Sequence, residues 1–269
     1  MRTPPYPSDV TDEEWTVLEP LLPPPADIGR KSSYELREIT NAIFYLLRSG
    51  CTWRMLPRDL PPWQVVYWHF AKWRNNGVWQ RINDTLRTEL RVRDGREEAP
   101  SAGSMDSQSV KTSEKGGPRG YDGGKKITGR KRHLLVDTQG LLIEAVVHSA
   151  GIQDQDGAKL VLAQGRHRQG GHYLRRLELI WVDGKYSGKL VEWVQKAYGF
   201  TLEVVKRPKD AKGFVLLPRR WVIERTFGWL GRYRRLSRDY EGLLLTSEVL
   251  IYAAMVRLML NRLTRIVDC

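Results

Sequence analysis

Cysteine is scarce: Cys51 and Cys269 are the only two in 269 residues, far apart and outside any metal-ligand spacing. That excludes a disulfide framework and a zinc knuckle, and leaves reduced thiols as the expectation. Long uncharged apolar runs are also missing. The most apolar stretch, Leu243 to Leu260, is interrupted by Thr246, Ser247, Glu248 and Arg257, and so reads as a buried helix rather than a bilayer span. The opening residues Met1-Arg2-Thr3, followed by Pro4 and Pro5, lack the basic-then-apolar order of a signal peptide. A cytoplasmic setting without a membrane partner is expected. No internal repeat is present, and 41% hydrophobic with 10% aromatic residues excludes disorder throughout.

Positive charge is abundant, with a net of +13. Its placement says more than its total. Lys111 to Leu135 holds eight Lys or Arg against Glu114 and Asp122, and Lys206 to Arg238 holds eleven against Asp210 and Glu224. Residues 1–100 balance at fourteen of each sign. Solubility does not require such clustering, so a polyanionic partner for the C-terminal half is expected.

Residues 1–95 read as a small helical domain resembling a helix-turn-helix unit. Helices are predicted near Tyr34–Arg48, Pro62–Arg74 and Val78–Arg93, punctuated by Gly50, by Pro57, Pro61 and Pro62, and by Asn75-Asn76-Gly77. The polar, breaker-rich stretch 96–103 reads as a linker. From residue 104 the period changes. Strands are predicted at Met105–Val110, His133–Asp137, Leu141–Val147, Leu179–Val182 and Phe200–Lys206. Helices are predicted at Asp154–Gln164, Ser187–Ala197, Arg219–Leu230 and Leu243–Leu263. This is the order of a ribonuclease-H-like α/β domain spanning 104–269, a mixed sheet flanked by helices. The first strand is the odd one, because Ser104-Met105-Asp106-Ser107-Gln108-Ser109-Val110 is polar for a central position.

Phosphodiester cleavage and transfer need an in-line nucleophile and positive charge against a pentacoordinate transition state. Carboxylates holding two hard cations supply that charge. In the predicted fold Asp106 on the first strand and Asp183 at the end of a parallel neighbour face one cation pair, and Glu224 arrives from the final helix of the core. Each acid also has a structural reading: Asp106 as a strand-end turn residue, Asp183 before Gly184 as an ordinary turn Asp, and Glu224 as the partner of Arg220 four residues earlier. Asp137 is the rival carboxylate, drawn by Thr138-Gln139-Gly140 into a hairpin tip.

Several segments resemble the DDE transposases of bacterial insertion sequences, in the numbered families four and five with a short helical N-terminal domain. They are the run from Asn41 to Pro57, Gly129-Arg130-Lys131-Arg132-His133-Leu134, Trp181-Val182-Asp183-Gly184-Lys185-Tyr186, the run from Pro218 to Leu230 around Glu224, and Arg234-Arg235-Leu236 with Asp239-Tyr240-Glu241. The segment around Asp106 joins them. The resemblance implies Asp106, Asp183 and Glu224 as catalytic metal ligands, two Mg²⁺ ions with Mn²⁺ as substitute, and cleavage and joining of DNA. Where related enzymes carry a Tyr and a Lys around the last Glu, this chain has Leu217 and Gly231, so Arg232 or Arg234 is the expected replacement for the Lys. A metal-dependent nuclease or resolvase of the same fold, and a non-catalytic DNA-binding regulator, are the other classes considered.

The expected DNA contacts are Lys125, Lys126, Arg130, Lys131 and Arg132 before the second strand, Lys206, Arg207 and Lys209 on the other side, and Arg220, Arg225, Arg232 and Arg234 near Glu224. They would hold phosphates without reading sequence. In the N-terminal domain Gln64, His69, Lys72 and Arg74 are candidates for reading terminal inverted repeats. Trp53, Trp63, Trp68, Trp73 and Trp79 read as core, and His133 as a structural histidine. Joining two element ends to target DNA calls for a homodimer on DNA. The helix from Leu243 to Leu263 carries Leu250, Ile251, Met255, Leu258 and Met259, more apolar surface than one core-facing stripe, and would either cover the sheet or meet a second subunit.

Overall fold

The computed structural model describes residues 5–24, 33–114, 117–168, 174–205 and 219–265. Its contacts form two compact units, one comprising Met1–Gly95, Gly231–Ser237 and Val249–Cys269, the other Arg96–Leu230 and Arg238–Glu248.

The first unit is helical: α1 (Asp12–Leu18), α2 (Leu36–Ser49), α3 (Trp63–Asn75), α4 (Val78–Arg93) and, from Val249 onward, α8 (Leu244–Thr264). Helix α1 was not anticipated, although its signal is present. Thr11 and Glu14 form a reciprocal capping box, each side chain bonding the other's backbone N–H. Helix α2 ends at Gly50 in the left-handed region, φ 75°, where a Cβ would come 2.9 Å from the Cβ of Arg234. Trp73 and Trp79 are core as expected, Trp53 and Trp63 are half-buried, and Trp68 is exposed, with the Lys72 ammonium 5.0 Å from its ring.

The sequence reading placed α8 in the catalytic domain. Its contacts divide otherwise: only the first turn belongs to the second unit. Arg257 pairs with the buried carboxylate of Glu14 and lies over Phe44, Tyr233 Oη donates to the Ala254 carbonyl at 3.1 Å, and Arg93 Nη1 donates to the carbonyl of Arg262 at 2.7 Å. Leu250, Ile251, Met255 and Met259 are buried and Leu258 half-buried. These apolar residues are therefore packed inside this chain. By length and composition α8 could cross a membrane, but 72% of its apolar window is buried, the mark of a core helix.

The second unit is built on β1 (Ala102–Lys111), β2 (Gly120–Asp122), β3 (Ile127–Asp137), β4 (Leu142–Ser149), β5 (Leu179–Val182) and β6 (Thr201–Val204), with α5 (Asp154–His167), α6 (Lys189–Tyr198) and α7 (Trp221–Leu230). The strand order is β2-β3-β1-β5-β6, with β4 also on β3. Pairing is antiparallel from β4 through β3 to β1 and parallel from β1 through β5 to β6. This mixed, helix-flanked sheet is the ribonuclease-H-like arrangement that the element order predicts. Met105, Leu135, Ile180 and Val182 from the strands pack with Val161 and Leu162 of α5 and Leu190 and Val194 of α6. The polarity of β1 has a local cause: Ser107 Oγ donates to Asp154 Oδ1 at 2.7 Å and Ser109 Oγ to Asp122 Oδ2 at 2.5 Å, so both hydroxyls are satisfied inside. The N-cap residue of α5 is Gln153, and Asp154 is the first residue of the helix.

One buried acid makes this unit sensitive to pH. Glu248 Oε1 accepts from the Val147 N–H at 2.9 Å, and burial, helped by the nearby Glu144 carboxylate, pushes its pKa up to about 7. A carboxyl raised on folding binds more protons native than unfolded, so stability is full below the ordinary carboxylate range and falls as pH rises toward 7. The loss is on the order of 3 kcal/mol. Glu248→Gln keeps the acceptor and removes the charge. Urea unfolding should show the variant more stable than wild type at pH 8 and little different at pH 4.5; equal stability at pH 8 would refute the assignment.

Candidate active site

Register carries Asp106 to Asp183. β1 and β5 pair in parallel with Ala102 opposite Leu179, Gly103 opposite Ile180 and Ser104 opposite Trp181, so two residues further along both strands Asp106 is level with Asp183. Side chains alternate, and Met105, Ile180 and Val182 are in the core under α5 and α6. Asp106 and Asp183 therefore share the other face. That face is covered by α7: Ser104 Oγ donates to the Arg219 carbonyl at 3.2 Å, and the Arg219 guanidinium sits 5.0 Å from the Trp181 ring. Arg219 holds a left-handed backbone, φ 69°, which costs a non-glycine residue energy just before the helix that carries Glu224.

The electrostatics of Asp106 are those of a carboxylate whose burial outweighs its partners. Burial, and to a lesser degree the Asp183 carboxylate, push its pKa up to about 6, against the Ser107 N–H and the cations Arg220 and Lys125. The Ser107 N–H donates to Asp106 Oδ1 at 2.7 Å, and Lys125 Nζ reaches the Ser107 carbonyl at 3.1 Å. Asp183 is half-buried, and its Oδ1 accepts from the Lys185 N–H at 2.8 Å at the head of a 3-10 turn, Gly184–Tyr186. Two like-charged carboxylates facing each other in a partly buried site suit a hard cation. Glu224 stands apart. It is exposed, and its Oε1 accepts from Arg220 Nη2 at 2.9 Å, as the i,i+4 spacing allows. Among the described residues no three of His, Cys, Asp and Glu come close enough to hold a metal. Asp106 and Asp183 thus stand level on one face of the sheet, and Glu224 is tied to Arg220.

The remaining sequence candidates divide by burial. Lys125, Lys126, Arg232, Arg234, Gln64 and Lys72 are exposed, and Arg220 is half-buried beside Asp106 and Glu224. Arg130, Lys131 and Arg132 are buried, which corrects their reading as phosphate contacts. β3 has strands on both edges and is covered on both faces, so its cations turn inward: Arg130 to Asp239, Lys131 to Asp154, and Arg132 to the Arg238 carbonyl. Arg74 is likewise buried. Arg225 is half-buried, stacked on Trp221 and Trp229, and donates to the Gln139 carbonyl at 2.8 Å, so it binds the β3–β4 hairpin. Lys206, Arg207 and Lys209 lie outside the described residues. Asp137 is buried and accepts from the Gln139 and Leu141 N–H groups, both at 2.9 Å, which makes it the turn residue expected. Sequence reasoning missed a second acidic group on the far face of β1, where Asp122 and Asp154 meet Lys131 at 3.9 and 3.0 Å. The alternating serines of β1 were its signal.

Comparison with known proteins agrees with this geometry. Residues 10–83 match the family described as "Putative transposase of IS4/5 family", and residues 97–259 match the family described as "Transposase DDE domain". The chain is 33% identical over 108 residues to "Insertion element IS402 uncharacterized 16.2 kDa protein" of Burkholderia cepacia, covering 38% of this chain and 72% of that protein. It is 28% identical over 115 residues to "Putative transposase for insertion sequence element IS402" of the same organism, covering 42% of this chain and 54% of that protein. With more than half of its length, the whole α/β unit included, matched to one family model, the chain belongs to the DDE-domain transposases of insertion sequences.

Proposed function

We propose that this chain binds the terminal inverted repeats of an insertion sequence, cleaves DNA at the element ends and joins the 3′-OH ends to target DNA. The observation that carries the reading is the level placement of Asp106 and Asp183 on parallel strands, under the helix that bears Glu224. Asp106 and Asp183 would hold Mg²⁺, with Mn²⁺ as substitute, and Glu224 would complete the set once its pair with Arg220 opens. Bound divalent cations supply positive charge to the phosphoryl transition state. Arg220 and Lys125, already beside Asp106, would hold the flanking phosphates, and Lys126 would extend that track. Two ends joined to one target call for two such sites, hence a homodimer on DNA, by a surface other than the buried faces of α8.

A labelled element end incubated with Mg²⁺ and an unlabelled target duplex tests this. A covalently joined product is expected; cleavage with no joined product would leave only a nuclease. Sequence preference is assigned to the first unit, through exposed Gln64 and Lys72 on α3. The pair Gln64→Ala with Lys72→Ala should reduce the preference for element ends over scrambled DNA by about tenfold, one bidentate base contact being worth about 1–3 kcal/mol. Unchanged discrimination in a competition binding assay would move the reading surface elsewhere. The full chain is needed, because a fragment ending at Gly95 lacks the α8 residues that close this core.

A further inference from the structure

Behind Asp106 and Asp183, on the α5 side of the sheet, lies a chain of buried polar groups that the proposed chemistry does not use. His133 on β3 is paired in register with Ser107, the neighbour of Asp106. Its Nε2 lies 2.9 Å from Tyr186 Oη, and its Nδ1 lies 3.4 Å from His148 Nε2. His148 Nδ1 in turn lies 2.9 Å from the Ser149 carbonyl.

The direction of every proton in this chain follows from its far end. A carbonyl only accepts, so His148 Nδ1 carries hydrogen, and in a neutral ring its Nε2 accepts. His133 must then donate from Nδ1, which leaves Nε2 to accept from the Tyr186 hydroxyl. Burial holds His133 down to about 3, keeps His148 low and raises Tyr186, so the three stay neutral and the order holds across the physiological range. Helix α5 is shaped around the pair. A Cβ on Gly157 would lie 2.4 Å from His133 Nδ1 and 2.6 Å from His148 Nε2.

Tyr186 is the last residue of the turn that Asp183 begins. The Tyr186 N–H donates to the Asp183 carbonyl at 3.2 Å and the Lys185 N–H to its side chain at 2.8 Å. Fixing the Tyr186 hydroxyl on β3 therefore fixes a turn that holds Asp183 by both backbone and carboxylate. A second strut runs beside it, from Lys185 Nζ to Asp154 Oδ2 at 3.5 Å. We propose that Tyr186 and His133 are positioning residues: their hydrogen bond locks the turn after β5 and so aims Asp183 at the space beside Asp106. This rests on the reading of Asp183 as a metal ligand.

The test is Tyr186→Phe in the full chain, which removes one hydroxyl and keeps the ring. Without metal, amide hydrogen exchange at Lys185 and Tyr186 should speed up about tenfold, while exchange at Leu134–Val136 stays near wild type. In DNA cleavage the half-saturating Mg²⁺ concentration should rise about tenfold or more, with turnover largely recovered at high Mg²⁺, as expected when a group supporting a ligand is lost. His133→Leu should show the same split. Unchanged exchange in the turn, or exchange raised throughout the unit with the fold lost, would each overturn the proposal, the latter by assigning a merely structural role. Its failure differs from that of the underlying reading, which would appear as retained cleavage by Asp183→Asn whatever Tyr186 does.

Discussion

Asp106→Asn, Asp183→Asn and Glu224→Gln should each reduce Mg²⁺-dependent cleavage by at least about a thousandfold while leaving DNA affinity within several-fold. The magnitude follows from what a ligand supports. Metal ions contribute several kcal/mol of transition-state stabilisation, and about 1.4 kcal/mol corresponds to a factor of ten in rate. The amides keep the shape and lose the charge that recruits a cation, whereas DNA is held mainly by cations elsewhere on the surface. Glu224→Gln is the sharpest of the three, because Glu224 is exposed and bonded to Arg220. If Glu224 serves only as the partner of Arg220, the variant loses an exposed ion pair worth under about 1 kcal/mol and still cuts DNA. Asp156→Asn, an exposed acid of α5 paired with Lys159, is the control and should remain active. Single-turnover cleavage of a labelled element end decides the matter; any of the three acid variants retaining near wild-type rate removes that residue from the site.

The elements were legible because their signals are local. Strand β5, Leu179–Val182, and helix α4, Val78–Arg93, fall at the predicted bounds, the first as a short apolar run and the second between a glycine and a change of composition. The two aspartates were legible for a different reason: once β1 and β5 are parallel neighbours, register alone makes them level. What could not be read was which way a charge points. Arg130, Lys131 and Arg132 look like a surface track in one dimension, and only the strands on both edges of β3 turn them inward. The same limit applies to α8. Its apolar residues announce burial, but nothing in its own sequence says that it packs with helices far earlier in the chain, as its Arg262 carbonyl does with Arg93, 169 residues before it. Glu224 marks the remaining gap, since its partner Arg220 lies at the same i,i+4 spacing whether the pair is a resting state or the residue's whole role.

The second large effect is expected from Arg130→Met, and it concerns stability rather than DNA. The Arg130 guanidinium is fully buried, 2.9 Å from Asp239 Oδ1, and also donates to the carbonyls of Pro118 at 2.9 Å and Glu241 at 2.8 Å. Asp239 is 2% exposed, and its Oδ1 also accepts from Ser247 Oγ at 2.8 Å. Two segments that drew attention separately in the sequence, Gly129 to Leu134 and Asp239-Tyr240-Glu241, are thus the halves of one ion pair. Around it the Asp239 N–H donates to the Lys111 carbonyl at 2.9 Å, tying the segment to the end of β1. Removing the cation takes the paired guanidinium away from a carboxylate that stays buried, which costs about 3–5 kcal/mol, a large share of the roughly 5–15 kcal/mol that a domain has. Urea unfolding of Arg130→Met should therefore show a much lower midpoint. Replacing both partners, Arg130→Met with Asp239→Leu, should recover part of the loss, because an apolar pair of similar volume strands no charge. The salt dependence of DNA binding should not change in the folded fraction, since a buried guanidinium releases no counterion from DNA. A variant of normal stability whose salt slope falls by about one would instead return Arg130 to the DNA surface.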